Sequence, residues 1–143
     1  MKRKAGKSNC AINYSLETFG DMWSLLIIRD IILFGKHTYG EFLDSDERIA
    51  TNILASKLSC LVSAEILHKS SNPADKRKDI YTITEKGLAL IPMFFEMMEW
   101  GVKYNDLKTP KEAVDFIKKF KKNKIKVAQE VMEKVRAGGS VFS

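Results

Sequence analysis

The sequence has few cysteines and prolines and no long apolar run, and each shortage excludes a class of protein. Two cysteines, Cys10 and Cys60, are too few for a disulfide scaffold and suit a reducing compartment. Three prolines among 45% hydrophobic residues are typical of a globular domain. No apolar stretch reaches the roughly 18 residues of a membrane span, and no signal-peptide core follows the basic N-terminus. We therefore expect one soluble domain and no membrane partner.

Motifs of catalysis and metal binding are also missing from the sequence. His37 and His68 have no cysteine or carboxylate at a spacing typical of metal ligands. No dinucleotide fingerprint, phosphate loop or nucleophile elbow occurs. Glu96 and Glu99 are spaced as a carboxylate pair, but on a charged helix face such pairs are usually solvated. The prediction is a protein that is not an enzyme and holds no cofactor or metal.

The net charge of +6 is distributed unevenly along the chain. Residues 1–9 carry +4, residues 10–107 have ten basic against fourteen acidic residues, and residues 108–143 have ten against four. Basic ends attract nucleic-acid phosphates without regard to base sequence. A specific DNA contact would therefore depend on where the acidic middle segment places its few basic side chains.

Residues 47–64 combine an apolar helical stripe with a face of short polar side chains. Spacings of three and four predict an amphipathic helix with these apolar positions: Ile53, Leu54, Leu58, Leu61 and Val62. The opposite face carries Asn52, Ser56, Ser59 and Ser63. Such a helix fits a DNA groove, although the same pattern is also typical of a solvated helix.

A short helix at Tyr39–Leu43 and a polar turn precede this helix, whose start Thr51 or Asn52 is suited to cap. This order predicts a helix-turn-helix, in which the second helix enters the major groove by its N-terminal end. Thr51, Asn52 and Ser56 would then contact base edges, because asparagine bonds bidentately to adenine and hydroxyl groups serve several bases. Lys57 would lie near the phosphates.

Two short strands, at residues 66–70 and 80–83, are predicted after the helix. The loop between them carries Lys76, Arg77 and Lys78 at its tip. A hairpin directly after a helix-turn-helix is the wing of a winged-helix domain, and a basic tip would contact phosphates or the minor groove. The alternative is an ordinary solvated hairpin.

The remaining segments are predicted to be mainly helical. Helices are expected at residues 14–19 and 23–34, then one long helix at residues 85–104 that is kinked at Pro92, and a basic helical segment at residues 111–136. Because a single winged domain offers too little surface to bury both C-terminal segments, we expect a homodimer.

The expected fold is therefore α+β and mainly α, a winged helix-turn-helix with extra C-terminal helices that form a dimer. Its parts are a flexible basic arm at residues 1–9, the winged domain at 10–105, a C-terminal helical extension at 106–136 and a disordered tail at 137–143.

Methionine and aromatic residues cluster in the long helix, namely Met93, Phe94, Phe95, Met97, Met98 and Trp100. Most such clusters are core or dimer interface. The alternative is a pocket for a small-molecule effector between the dimer helices and the winged core, where binding would change the separation of two DNA-reading helices.

The order and spacing of several motifs resemble the HxlR-type winged helix-turn-helix regulators. After Cys10 these motifs are GDMW, TYGEF, IATNILASKL, YTITEKG and EWG, which together span roughly residues 10–101. The resemblance implies a dimeric bacterial or archaeal transcription regulator that binds a double-stranded operator in the cytoplasm. It places the recognition helix at residues 50–64, the wing at 71–79 and the dimer helices at the N-terminal segment and from Leu88 onward.

In several members of this family the cysteine that matches Cys10 senses oxidants or electrophiles. Lys4 and Lys7 would favour its reactive thiolate. The alternative is a partly buried cysteine at a dimer interface, and Cys60 is expected to be a small packed residue.

Three features depart from the family. Ala11 replaces the usual proline after Cys10, which weakens the sensor hypothesis. Glu65 stands where glycine is frequent, so a left-handed turn there would cost about 1 kcal/mol. The C-terminal helical segment is longer and more basic than the family requires, and would either enlarge the dimer or touch DNA. A different class of function, a winged-helix protein-interaction module without DNA binding, is the alternative that the acidic middle segment leaves open.

Overall fold

The computed structural model describes residues 8–142, so most of the predicted basic arm, including Lys4 and Lys7, lies outside the described residues. The elements follow in the order α1 (Ala11–Phe19), α2 (Met22–Phe34), α3 (Tyr39–Leu43), α4 (Thr51–Ser63), β1 (Leu67–Ser71), β2 (Asp79–Ile83), α5 (Glu85–Leu88), α6 (Ile91–Tyr104), α7 (Lys111–Lys122) and α8 (Lys124–Arg136). The predicted fold class, mainly helical with one small winged sheet, is confirmed.

Helix α2 forms the centre of the core, because its sequence is apolar nearly all round. Ile28 and Ile32 are fully buried within it. The Asp21 carboxylate caps its start by accepting hydrogen bonds from the Ser24 amide at 2.9 Å and the Ser24 hydroxyl at 2.6 Å. Gly35 ends the helix in the left-handed conformation, with φ of 68°, which glycine adopts without a steric cost.

Helices α3 and α4 form the predicted helix-turn-helix. The side chain of Thr38 caps α3 by accepting a hydrogen bond from the Glu41 amide. The prediction that Thr51 or Asn52 caps α4 is wrong, because the helix begins at Thr51 and Ala50 occupies the cap position without a side-chain hydrogen bond. On its inner side, α4 buries three leucines completely: Leu54, Leu58 and Leu61.

The turn after α4 has the left-handed conformation expected at the position where the family often has glycine. Glu65 has φ of 61°, and the Ile66 amide donates to the Leu61 carbonyl at 3.0 Å. The Thr84 hydroxyl donates to the Glu65 carbonyl at 2.6 Å, and the Lys86 ammonium donates to the Ala64 carbonyl at 2.8 Å. The carbonyls at the end of α4 are therefore satisfied from the next segment of the chain.

Strands β1 and β2 form the hairpin of the wing. They pair antiparallel, in a register that runs from Leu67 opposite Ile83 to Ser71 opposite Asp79. β1 is therefore shifted by one residue from its predicted bounds, and β2 begins one residue earlier than predicted. The Tyr81 amide donates to the His37 carbonyl at 2.8 Å. This hydrogen bond joins the hairpin to the segment between α2 and α3.

The long helix predicted at residues 85–104 is two helices, and the expected kink is a break. α5 is a single turn capped by the Thr84 side chain, and α6 starts at Ile91. Pro92 lies in the first turn of α6, where its missing amide hydrogen would have had no helical acceptor. The proline therefore starts a helix rather than bending one.

The C-terminal segment also divides into two helices, with Asn123 between α7 and α8. Both helices contact α6. The Phe95 ring of α6 makes edge contacts with Phe116 at 4.9 Å and Phe120 at 5.4 Å between ring centroids. Since α7 and α8 bury most of their apolar residues within their own chain, with Ile125 as an exposed exception, the argument that they require a second chain for burial does not hold.

The disordered tail predicted at residues 137–143 is wrong for residues 137–142. The amides of Val141 and Phe142 donate to the Ile32 and Leu33 carbonyls at 3.0 and 2.9 Å. The Phe142 ring lies 6.1 Å from the ring of Phe34. The segment is ordered because it satisfies the last carbonyls of α2 and buries apolar side chains at the same time. Ser143 lies outside the described residues.

Candidate DNA-binding surface

The outer face of α4 is a continuous exposed surface of small side chains that carry no formal charge. It consists of Thr51, Asn52, Ala55, Ser56, Ser59, Cys60 and Ser63, all of which are exposed. The predicted base-contacting residues Thr51, Asn52 and Ser56 lie together in the first two turns of the helix. Their short side chains offer hydrogen-bond donors and acceptors and allow the backbone of α4 to approach another surface closely.

Two groups fix the position of this helix relative to the core. The Tyr39 hydroxyl donates to the Thr51 carbonyl at 3.0 Å, which joins α3 to the first residue of α4. In the turn before α4, both guanidinium NH groups of Arg29 donate to Glu47, at 2.7 and 2.9 Å. Burial opposes a charged Arg29, but its hydrogen bonds to Glu47 and Asp30 raise its pKa above the usual value.

The carboxylate of Asp30 completes this network beneath the turn, with 3% of its side chain exposed. It accepts from Arg29 at 2.7 Å and from the Ser45 hydroxyl at 2.7 Å. The Lys36 ammonium lies 3.6 Å from the same carboxylate and donates to the Asp44 carbonyl at 3.0 Å. The turn that orients α4 is therefore held to α2 by bonds to charged groups.

Lys57 lies on the flank of α4 rather than on its outer face. Its ammonium is 3.5 Å from the Asp21 carboxylate, and 31% of its side chain is exposed. Burial acts to raise the pKa of Asp21, but the hydrogen bonds from Ser24 and the charge of Lys57 hold it below the usual value. A phosphate contact by Lys57 would have to compete with this carboxylate, and it remains a prediction.

The basic tip of the wing is exposed, as the hairpin prediction requires. Lys76, Arg77 and Lys78 are all exposed, and 91% of the Arg77 side chain is accessible. The Arg77 guanidinium lies 3.2 Å from the Asp75 carboxylate, and this hydrogen bond lowers the pKa of Asp75. Arg48, in the turn before α4, is a further exposed basic residue that the sequence reasoning did not single out.

Both cysteines are exposed. Cys10 precedes α1, and its amide donates to the Ser8 hydroxyl at 3.0 Å. The prediction that Cys60 is a small packed residue is wrong, because it lies on the outer face of α4, one helical turn beyond Ser56. The helical period predicts this exposure, because Cys60 lies four residues after Ser56 and therefore on the same face of α4.

Large apolar side chains are exposed on α1 and α6, and we call them the apolar stripe: Ile12, Leu16, Met97, Trp100 and Tyr104. Their exposed fractions are 72, 59, 49, 68 and 57%. The Trp100 and Tyr104 rings lie 5.2 Å apart. The methionine and aromatic cluster predicted from the sequence is thus split, since Phe95 is buried in the core while Met97 and Trp100 face outward.

Within residues 8–142, no helix combines the length and apolar character needed to cross a membrane. In the same range, no group of three or more histidine, cysteine, aspartate or glutamate side chains is arranged to hold a metal ion.

Comparison with known proteins identifies relatives of the winged region. The model of the HxlR-like helix-turn-helix family matches residues 18–109. MalR of Fusobacterium mortiferum, which is described as a regulatory protein, is 32% identical over 101 residues, or 71% of this chain and 94% of MalR. The helix-turn-helix transcriptional regulator YodB of Bacillus subtilis strain 168 is 35% identical over 82 residues, or 57% of this chain and 72% of YodB.

Solved structures show the same relationship. The crystal structure of PA1607, described as a transcription factor, superposes with a TM-score of 0.65 at 32% identity and covers 73% of each chain. The reduced form of YodB from B. subtilis superposes with a TM-score of 0.55 at 28% identity, over 71% of this chain and 100% of YodB. The family match ends before α7, so α7 and α8 lie beyond the region shared with the family.

Proposed function

The chain belongs to the HxlR-like helix-turn-helix family of transcription regulators, and from this premise we propose that it binds a double-stranded operator as a homodimer. The observation that carries the proposal is the outer face of α4, which is exposed and free of formal charge beside an exposed basic wing tip. Uncharged donors and acceptors suit the reading of base edges, whereas cations suit the phosphates.

In the proposed complex, α4 enters the major groove by its N-terminal end. Thr51, Asn52 and Ser56 contact base edges, and Lys76, Arg77 and Lys78 contact the backbone beside the groove. Arg48 adds a phosphate contact just before the start of α4. Lys57 contacts a phosphate only when its ion pair with Asp21 is broken.

The apolar stripe supports the homodimer. Five large apolar side chains on α1 and α6 are exposed in the single chain, and a second copy of the same surface would remove them from water. Two-fold symmetry then predicts a pseudo-palindromic operator with half-sites about 34 Å apart, one turn of the duplex. Because the operator lies on the chromosome of a bacterial or archaeal cell, we propose a cytoplasmic location.

A gel-shift titration tests the proposal, with a duplex selected from genomic fragments and a random duplex of equal length. Asn52→Ala should weaken binding to the selected duplex by about tenfold while leaving the random duplex nearly unchanged, because only base reading is lost. Replacing Lys76, Arg77 and Lys78 together by glutamine should weaken both duplexes and flatten the salt dependence.

Equal losses on both duplexes for Asn52→Ala would contradict the assignment of α4. If neither duplex were bound at moderate salt, the result would favour a protein-interaction module. Sedimentation of Trp100→Asp should show a monomer if the apolar stripe forms the dimer, and an unchanged dimer would place the interface elsewhere.

We also propose that Cys10 makes the regulator responsive to oxidants or electrophiles. Its exposure gives a reagent access, and solved structures of the relative YodB are described as reduced and diamide-treated forms. Mobility on a non-reducing gel after diamide treatment, with Cys10→Ser and Cys60→Ser as paired variants, tests this response. A mobility change that survives Cys10→Ser and disappears in Cys60→Ser would assign the response to α4 instead.

A further inference from the structure

A cavity of about 260 Å³ lies between α2 and α6, outside the DNA-binding surface. Leu25, Leu26 and Leu33 line it from α2, and Phe94, Met97 and Met98 line it from α6. Arg29 is the one charged side chain among its lining residues. Met97 stands at the rim with 49% of its surface exposed. The cavity is thus an apolar site that lies next to the apolar stripe.

Helices α2 and α6, which form the walls of the cavity, are each packed against the rest of the protein. α2 is also buried where it does not line the cavity, since Ile28 and Ile31 are 0 and 6% exposed. α6 is supported by α7 and α8 through Phe95, which lines the cavity and makes edge contacts with Phe116 and Phe120. Because neither helix can move into the space without losing these contacts, the site is preformed.

We propose that this cavity binds a neutral aromatic molecule of one or two rings, and that its occupancy is communicated through Arg29 to α4. An apolar cavity of about 150 Å³ is sufficient for benzene, so 260 Å³ has room for a larger ring system. Phe94 offers a ring contact, while Met97 and Met98 have flexible thioether side chains that adapt to different aromatic outlines.

The charge of Arg29 is already compensated, which argues for a neutral ligand. Its guanidinium is bonded to both Glu47 and Asp30, at 2.7 Å in each case. A carboxylate on the ligand would have to displace one of these partners and would then face the other. A neutral ring loses no such interaction and contacts only the aliphatic part of Arg29.

The same arginine connects the cavity to the recognition helix. Its side chain lines the cavity, and its guanidinium bonds Glu47 in the turn that precedes α4. Asp30, which it also bonds, accepts from Ser45 in the same turn. A ring that shifts Arg29 therefore shifts the turn and the orientation of α4, and it changes DNA affinity only by binding the two orientations unequally.

Binding is tested on the full-length protein by NMR of ¹³C-labelled methionine methyl groups, with β-naphthol as the probe. The methyl resonances of Met97 and Met98 should shift saturably, while those of Met22 and Met132, outside the cavity lining, stay in place. β-Naphthoate, the charged analogue, should bind about tenfold more weakly. Leu26→Trp should abolish the shifts by filling the site, and Ile125→Trp, at a position that is 75% exposed, is the matched control.

If Leu26→Trp fails to fold, Met98→Trp fills the same space from the α6 side. The site would be overturned if β-naphthol gave no saturable shift, if Leu26→Trp and Ile125→Trp behaved alike, or if β-naphthoate bound as well as β-naphthol. It would also be overturned if the Met97 and Met98 resonances responded to protein dilution alone, because a partner protomer would then fill the cavity.

The coupling rests on the proposed DNA-binding function, whereas the methyl experiment does not. Saturating β-naphthol should change the operator Kd by about tenfold, within the usual range of allosteric coupling. In Glu47→Gln the methyl shifts should remain and the change in Kd should disappear. An unchanged Kd in the wild-type protein would overturn the coupling alone, and a protein that bound no DNA would refute the proposed function while leaving the cavity result intact.

Discussion

The winged region and the C-terminal extension place their charges in opposite ways. The surface proposed to read DNA, the outer face of α4, is uncharged and built from short side chains, while the outer side of α7 is rich in lysine. A chain-wide count of charge would point to the extension as the nucleic-acid surface. Base reading, however, needs directed donors and acceptors, and cations supply attraction that does not depend on sequence. The more basic region is therefore not the one expected to recognise a base sequence.

The two regions also differ in what their buried residues do. In the winged region the half-buried Arg29 and the buried Asp30 orient the turn before α4. In the extension, buried aromatic rings hold α7 and α8 against α6. The winged region is positioned by directional hydrogen bonds and the extension by apolar packing. Substitutions in the two regions should therefore destabilise the protein for different reasons, an unpaired buried charge in the first and a cavity in the second.

The largest effect is expected from Phe120→Ala in the extension. Phe120 is 1% exposed and contacts Phe95, so its removal should lower the free energy of unfolding by about 4 kcal/mol. Denaturant unfolding followed by circular dichroism measures this loss, and Ile125→Ala on α8, at a position that is 75% exposed, is the control. A loss below about 1 kcal/mol would show that the extension contributes little to the stability of the winged region.

A smaller effect is expected from Arg29→Met in the winged region, because it leaves the buried Asp30 carboxylate without its closest cation. We expect a loss of about 3 kcal/mol. Arg77→Met removes a guanidinium from the exposed pair with Asp75 and should leave the melting temperature nearly unchanged, because solvent screens this pair. Thermal melts of the two variants at the same pH compare them directly, and equal losses would contradict the role given to burial.

Glu65→Gly, in contrast, should stabilise the protein. Glu65 has φ of 61°, a conformation that glycine adopts without the Cβ penalty, so the variant should gain about 1 kcal/mol. Gly138 in the extension has φ of 95°, and Gly138→Ala should lose a similar amount. Chemical denaturation measures the change in the free energy of unfolding for each variant, and the two changes should have opposite signs. A destabilised Glu65→Gly would show that the glutamate side chain contributes more stability than its backbone strain costs.

The smallest effect is expected when Lys118, Lys121 and Lys122 of α7 are replaced together by glutamine. The free energy of unfolding should be nearly unchanged, because these lysines are exposed. The ratio of selected to random duplex binding should change by less than about twofold, because these residues read no bases. Competition gel shifts at two salt concentrations provide the measurement. A loss of more than tenfold on the selected duplex alone would transfer part of the recognition to the extension.

The elements that sequence analysis found are those determined by local pattern. The apolar spacing of Leu54, Leu58 and Leu61 gives the phase of α4, and the turn residues between β1 and β2 mark the wing. These signals are local, so they survive without knowledge of the tertiary structure.

What sequence analysis missed depends on distant partners. The segment at residues 137–142 resembles a polar tail until the α2 carbonyls and Phe34 provide its binding site. The proximity of Lys57 to Asp21 could not be predicted either, because it depends on the packing of α4 beside the start of α2. Trp100 of the apolar stripe and Phe94 and Met98 of the cavity belong to one methionine and aromatic cluster in the sequence, and only the orientation of α6 separates them.

The exposed thiol of Cys60 provides a natural attachment point for spectroscopy. A nitroxide label placed there in a Cys10→Ser background would sit on each α4 helix of a dimer, without any engineered cysteine. Pulsed electron spin resonance of such a sample would report how far apart the two helices stand in solution, before and after an operator is added.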